Sequence, residues 1–85
     1  MTPWRIEVSQ EAFKDLEGVP HQFLLRILKG IRLLARNPSN ADIKKLEGSH
    51  DAWRLKVGPW RVLFYFEHDE HTIRIDHIVP RKDAY

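Results

Sequence analysis

Residues 52–67, Ala52-Trp53-Arg54-Leu55-Lys56-Val57-Gly58-Pro59-Trp60-Arg61-Val62-Leu63-Phe64-Tyr65-Phe66-Glu67, decide the fold. Two runs rich in β-branched and aromatic residues flank Gly58-Pro59, a tight connection, so the stretch predicts a β-hairpin. With a two-residue loop, Val57 faces Trp60, Leu55 faces Val62 and Trp53 faces Phe64. These large apolar groups share one face, which is the core face. On the other face Lys56 stands opposite Arg61 and Arg54 opposite Leu63. Like charges paired across strands are unfavourable by a few tenths of a kcal/mol, and no acid occurs from residue 52 through residue 66. Two readings are open. One is a solvated sheet face, where charges are ordinary. The other is an anion site, with phosphate the natural ligand for three cations on a rigid hairpin. Pro59 restricts the turn type, and a slipped register would separate Lys56 from Arg61.

Working outward, a polar turn over His68–His71 leads into Thr72–Val79, a further strand-like run. Towards the N-terminus, Trp4, Ile6 and Val8 alternate with Arg5 and Glu7, the period of a half-buried strand. Ser9 is a good N-cap, and Ala12, Phe13 and Leu16 form a short apolar face that Gly18 ends. A second helix opens near Pro20 and carries Phe23, Leu24, Ile27, Leu28, Ile31, Leu34 and Ala35 at helical spacing. Asn37-Pro38-Ser39-Asn40 closes it with turn chemistry. The expected architecture is α+β: an antiparallel sheet packed against an N-terminal helical hairpin, in the order β-α-α-β-β-β, as a single domain over residues 1–85.

Composition narrows the function. Hydrophobic residues make up 42% and charged residues 31%, which fits a compact globular domain. No apolar run approaches the roughly 20 residues that span a bilayer, and the N-terminus lacks a secretory layout. With no cysteine, disulfide scaffolds, thiolate metal sites and cysteine nucleophiles are excluded, and a reducing cytoplasm fits. The net charge of +2 says little about nucleic acid, so local placement carries that argument.

Lys45-Leu46-Glu47-Gly48 followed by Ala52–Tyr65 resembles the core motif of the RelE/ParE toxin superfamily, which runs K-L-x-G, a short gap, then W-R-L-[RK]-V-G-x-[YW]-R-V-x-[YF]. The tail, Ile78-Val79-Pro80-Arg81-Lys82-Asp83-Ala84-Tyr85, is similar to its closing I-x-x-R-x-x-x-Y. The resemblance implies the β-α-α-β-β-β fold and, for RelE-type members, a ribosome-dependent ribonuclease that cuts mRNA without metal or cofactor. The ribose 2′-OH attacks the adjacent phosphate and the 5′-OH leaves. Carried over by motif, the catalytic set is Arg54, Lys56, Arg61, Arg81 and Tyr85. Preorganised cations are the main way to stabilise the charge that develops at phosphorus. Arg61 and Arg81 can each grip two phosphate oxygens, Lys56 can act as a point charge or proton acceptor, and Tyr85 can stack on a base or move a proton. No histidine or carboxylate falls at a catalytic position matched to the motif, so a ribonuclease mechanism built on a pair of histidines is not supported. Pro80 stands where histidine often precedes the arginine, and Arg54 replaces the lysine of the best-known members.

Other features have plainer readings. Glu67-His68-Asp69-Glu70-His71 contains metal-ligand types but reads as a turn. His77, between Ile75 and Ile78, is expected to be a partly buried strand residue near Arg81, with a role at the edge of the site possible. His50 and Asp51 form a loop before the hairpin. Arg26, Lys29, Arg32 and Arg36 lie on the outer side of the second helix, and with Lys44 and Lys45 they are the candidates for docking on RNA of the ribosome.

The resemblance also implies a cognate antitoxin protein, with DNA reached only indirectly through it, and no membrane partner. Two alternatives remain beside the ribonuclease: a ParE-like inhibitor of DNA gyrase, and a non-catalytic domain whose role is complex formation.

Overall fold

The computed structural model describes residues 2–48 and 51–84. Ser9 organises the N-terminal part. It ends strand β1 (Arg5–Val8) and caps helix α1 (Gln10–Glu17), accepting a hydrogen bond from the Ala12 amide at 3.0 Å. The same hydroxyl donates to the Asp76 carbonyl at 2.8 Å, tying the cap to the sheet. Gly18 ends α1, and Pro20 precedes helix α2 (His21–Arg36), which stops at Asn37 before a 3₁₀ turn over Pro38–Asn40. Four strands follow: β2 (Ile43–Lys45), β3 (Ala52–Val57), β4 (Trp60–Glu67) and β5 (Thr72–Pro80), with a final 3₁₀ turn at Arg81–Asp83.

The strands form one five-stranded sheet in the order β1-β5-β4-β3-β2. The α+β class holds, with two refinements of the expected topology. β1 runs parallel to β5, with Val8 beside Ile75, while the other pairings are antiparallel. The sheet also gains β2, a short edge strand whose Ile43 pairs with Leu55. Within the helical layer, α1 packs chiefly on β5 and α2 on β3.

The core lies between the helices and one sheet face. Ile27, Ile31 and Leu34 of α2 and Ala12 of α1 meet Leu55, Val62, Phe64, Ile73, Ile75 and Ile78, all buried. Ile75 and Ile78 are three residues apart, a spacing that would put them on opposite faces of a regular strand. The register shifts between Leu63, paired with His77, and Phe64, paired with Ile75, so Asp76 is the extra residue of a β-bulge. The bulge returns both isoleucines to the core.

Candidate functional site

Alternation along the hairpin sorts its side chains. The pairs Val57–Trp60, Leu55–Val62 and Trp53–Phe64 have the two-residue-loop register and turn towards the helices. Gly58 makes this loop possible by taking φ 56°, the positive value that twisted two-residue hairpin loops require at that position. The outer face then carries Arg54 and Lys56 on β3 and Arg61 on β4, with Lys56 directly opposite Arg61. Lys44 of β2 pairs with Arg54 and extends the row, whereas Lys45 pairs with Trp53 and so belongs to the other face.

The environments of these cations differ. Lys56, Lys44 and Lys45 are exposed. Arg61 is only 5% exposed, and its Nη1 donates to the carbonyl oxygens of Gly58 at 3.0 Å and Trp60 at 2.9 Å. The Arg54 side chain is 15% exposed, and its Nη1 donates to the Asp42 carbonyl at 3.2 Å and lies 3.5 Å from the Asp42 carboxylate. Both guanidinium groups leave a buried Nε without a hydrogen-bond partner. A buried, unpartnered donor costs about 1–3 kcal/mol, and Trp60 Nε1 and Arg74 Nε share this state.

Arg81 opens the last 3₁₀ turn, and its amide donates to the Pro59 carbonyl at 2.9 Å, which hooks the tail onto the hairpin loop. Its side chain is exposed. Tyr85 and His50 lie outside the described residues. Arg26 and Lys29 of α2, together with Lys56, line a groove of about 450 Å³ floored by Leu55 and Val57. Arg32 is exposed on the outer side of α2, away from the hairpin row. The structure therefore gathers Arg54, Lys56, Arg61 and Lys44, sets Arg81 beside their loop, and places Arg26 and Lys29 across the β3 edge.

The histidines of the 67–71 turn are engaged with aromatic rings: His71 stacks on Trp4 at 4.2 Å and His68 on Phe66 at 5.8 Å. Among the described residues no cluster of three or more potential ligands is arranged to hold a metal ion. One pairing escaped the reading of the sequence. The Asp15 carboxylate lies 3.1 Å from His77 Nδ1, across a separation of 62 residues, and no local motif links the two.

Residues 6–85 match the family described as ParE toxin of type II toxin–antitoxin system, parDE. The toxin candidate RelE1 of Methanocaldococcus jannaschii is 32% identical over 85 residues, covering 96% of this chain and 94% of that protein. A chain of the RelE–RelB complex from Pyrococcus horikoshii OT3 superposes with a TM-score of 0.79 at 28% identity, covering 99% of this chain and 100% of that one. The RelBE2 toxin–antitoxin complex of Mycobacterium tuberculosis gives a TM-score of 0.84 at 22% identity, with 98% and 97% covered, which shows the shared fold. With the hairpin motif, the sheet that carries it and these likenesses in agreement, the chain belongs to the RelE/ParE superfamily of type II toxin–antitoxin toxins.

Proposed function

We propose that this toxin is an endoribonuclease that cuts mRNA on the ribosome, holding the scissile phosphate on the outer face of the β3–β4 hairpin. The observation that carries the reading is the gathering of Arg54, half-buried, Arg61, buried, and Lys56, exposed, on one face of the hairpin, with Lys56 directly opposite Arg61. Two fixed guanidinium groups and an exposed ammonium suit a phosphate better than an ordinary solvated sheet face does.

In this mechanism the ribose 2′-oxygen attacks phosphorus and the 5′-oxygen departs. Arg54, Arg61 and Lys56 stabilise the charge that grows on the phosphoryl oxygens, and Arg61 needs no reorganisation because Gly58 and Trp60 already fix it. Arg81, hooked to the loop through its backbone and exposed at its side chain, contributes a third fork. Tyr85 keeps the base-stacking or proton-transfer role that the resemblance implies. Lys44, Lys45, Arg26, Lys29 and Arg32 supply the wider positive surface for ribosomal RNA and mRNA. The relatives solved as RelE–RelB complexes support a cognate antitoxin as the protein partner; the resemblance implies that DNA is reached only indirectly through it.

A second reading is a ParE-like inhibitor of DNA gyrase, favoured by the match to the family described as ParE toxin. Purified protein incubated with mRNA, with and without programmed ribosomes, separates the two. Cleavage only with ribosomes, lost in Lys56→Ala, supports the ribonuclease. Intact mRNA from folded protein, with gyrase trapped on cleaved DNA, supports the second reading.

A further inference from the structure

We infer that His77 is the general base of this cleavage and that Asp15 is its positioning residue, an inference that rests on the ribonuclease reading above. It begins at the edge of β5. β1 stops at Val8, and beyond it the β5 backbone is satisfied from the start of α1 and its interior: the Ser9 amide donates to the Ile75 carbonyl, and the Ser9 hydroxyl to the Asp76 carbonyl. Asp15 Oδ2 accepts the Ile78 amide at 2.9 Å. That bond alone would pin α1 to the sheet. The same oxygen also lies 3.1 Å from His77 Nδ1. A carboxylate accepts, so in the neutral imidazole Nδ1 carries the proton and Nε2 keeps its lone pair. A carboxylate that orients a histidine, leaving the far nitrogen free, is the arrangement general bases use.

The bulge sets where that nitrogen works. His77 pairs with Leu63, and Leu63 pairs on its other side with Arg54, so Arg54, Leu63 and His77 form one row across the outer face. The next row is Lys56, Arg61 and Val79. His77 is thus the diagonal neighbour of Arg61, roughly 7–8 Å away between Cα atoms, and its side chain is 42% exposed. For a phosphate held by Arg54, Lys56 and Arg61, proton removal by His77 requires the ribose to lie over Leu63, which separates Arg54 from His77 in the row, with the 2′-hydroxyl towards His77. Of the charged groups on the elements packed against His77, Asp15 of α1 touches the imidazole, Asp76 precedes it in β5, Arg61 is its diagonal neighbour on β4, Arg54 stands two strands away on β3, and Arg81 follows the end of β5. In the step, the bond from the 2′-oxygen to phosphorus forms and the bond from phosphorus to the 5′-oxygen breaks. The 2′-hydroxyl proton passes to His77 Nε2, and the departing 5′-oxygen takes a proton from water. The products are a 2′,3′-cyclic phosphate and a 5′-hydroxyl end.

The test is single-turnover mRNA cleavage on programmed ribosomes by wild type, His77→Ala and Asp15→Asn, across pH, with thermal unfolding of each protein. His77→Ala is expected to slow cleavage about 100-fold, to lose the acidic limb of the rate–pH profile, and to recover part of its rate on addition of free imidazole. Asp15→Asn, with its amide oxygen in the Oδ2 position, keeps an acceptor for the Ile78 amide and for Nδ1 but removes the negative charge that stabilises the imidazolium formed in the step. It should unfold near the wild-type temperature yet cleave at least 10-fold more slowly. Wild-type cleavage rates in either variant overturn the inference and leave the ribonuclease reading intact. So does a slow His77→Ala that imidazole does not rescue and whose pH profile is unchanged, which would mark a structural role. Absence of cleavage by wild type overturns the ribonuclease reading and this inference with it.

Discussion

Lys56 and Arg61 stand opposite each other across the β3–β4 hairpin, yet Lys56 is exposed and Arg61 is 5% exposed and hydrogen-bonded to its own turn. The two cations therefore carry different loads. Lys56 has no structural bond through its side chain among the described contacts, so its charge is free for a ligand. Lys56→Ala should change unfolding free energy by no more than about 0.5 kcal/mol while lowering mRNA cleavage about 100-fold. Urea denaturation and ribosome-programmed cleavage check the two halves. A fully active Lys56→Ala protein would remove Lys56 from the site.

Arg61 has a structural duty beside the catalytic one proposed for it. Its removal strips the Gly58 and Trp60 carbonyls of a donor at the tightest point of the hairpin. Arg61→Ala should lose roughly 1–3 kcal/mol of stability as well as cleavage. Arg61→Lys keeps the charge but not the fork, and should fall between the two in stability. Denaturation midpoints of the three proteins at equal slope test the order. An Arg61→Ala protein as stable as wild type would show that the turn holds without the guanidinium.

The hairpin register was legible because large apolar residues alternate on both sides of a two-residue loop, and a one-residue slip would turn them all to water. The helices were legible for a related reason: Ser9, Gly18 and the Pro20 entry punctuate an apolar face of helical period. What stayed hidden depends on distant partners. β2 has three residues, two of them lysine, and exists because its Ile43 pairs with Leu55 and because the neighbouring Asp42 carbonyl accepts the Lys56 amide. The direction of β1 leaves no mark in four alternating residues, since parallel and antiparallel strands share the same period. The bulge at Asp76 shows only as two isoleucines spaced by three, and the Asp15–His77 contact only once α1 is laid along the β5 edge. In the candidate site, the cluster of Arg54, Lys56 and Arg61 was readable from residue type and register. The burial of Arg61 was not, because alternation assigns a face and says nothing of how a side chain folds back onto its own turn.

Ser9 links an element boundary to the sheet. Its hydroxyl accepts from Ala12 and donates to Asp76, so Ser9→Ala removes a cap and leaves the bulge carbonyl without this donor. The expected loss is about 1–2 kcal/mol. Ser9→Asp retains the acceptor for the Ala12 amide and should recover the capping share alone. If calorimetry shows Ser9→Ala within error of wild type, the cap contributes nothing that water does not replace.

Gly58 offers a last separation of causes. Its φ of 56° lies in the left-handed region, where a Cβ costs roughly 1–2 kcal/mol, and a Cβ built there would come within 3.1 Å of Arg26 Nη2. Gly58→Ala should therefore destabilise the protein by both backbone strain and displacement of the Arg26 guanidinium. The second cause can be removed independently, because Arg26 is an exposed residue at the far end of a flexible side chain. In an Arg26→Ala background the Gly58→Ala penalty should shrink to the strain alone. A double-mutant cycle measured by urea denaturation gives the difference directly. An unchanged penalty in both backgrounds would mean that Arg26 moves aside at no cost, and that the left-handed turn by itself makes glycine necessary at this position.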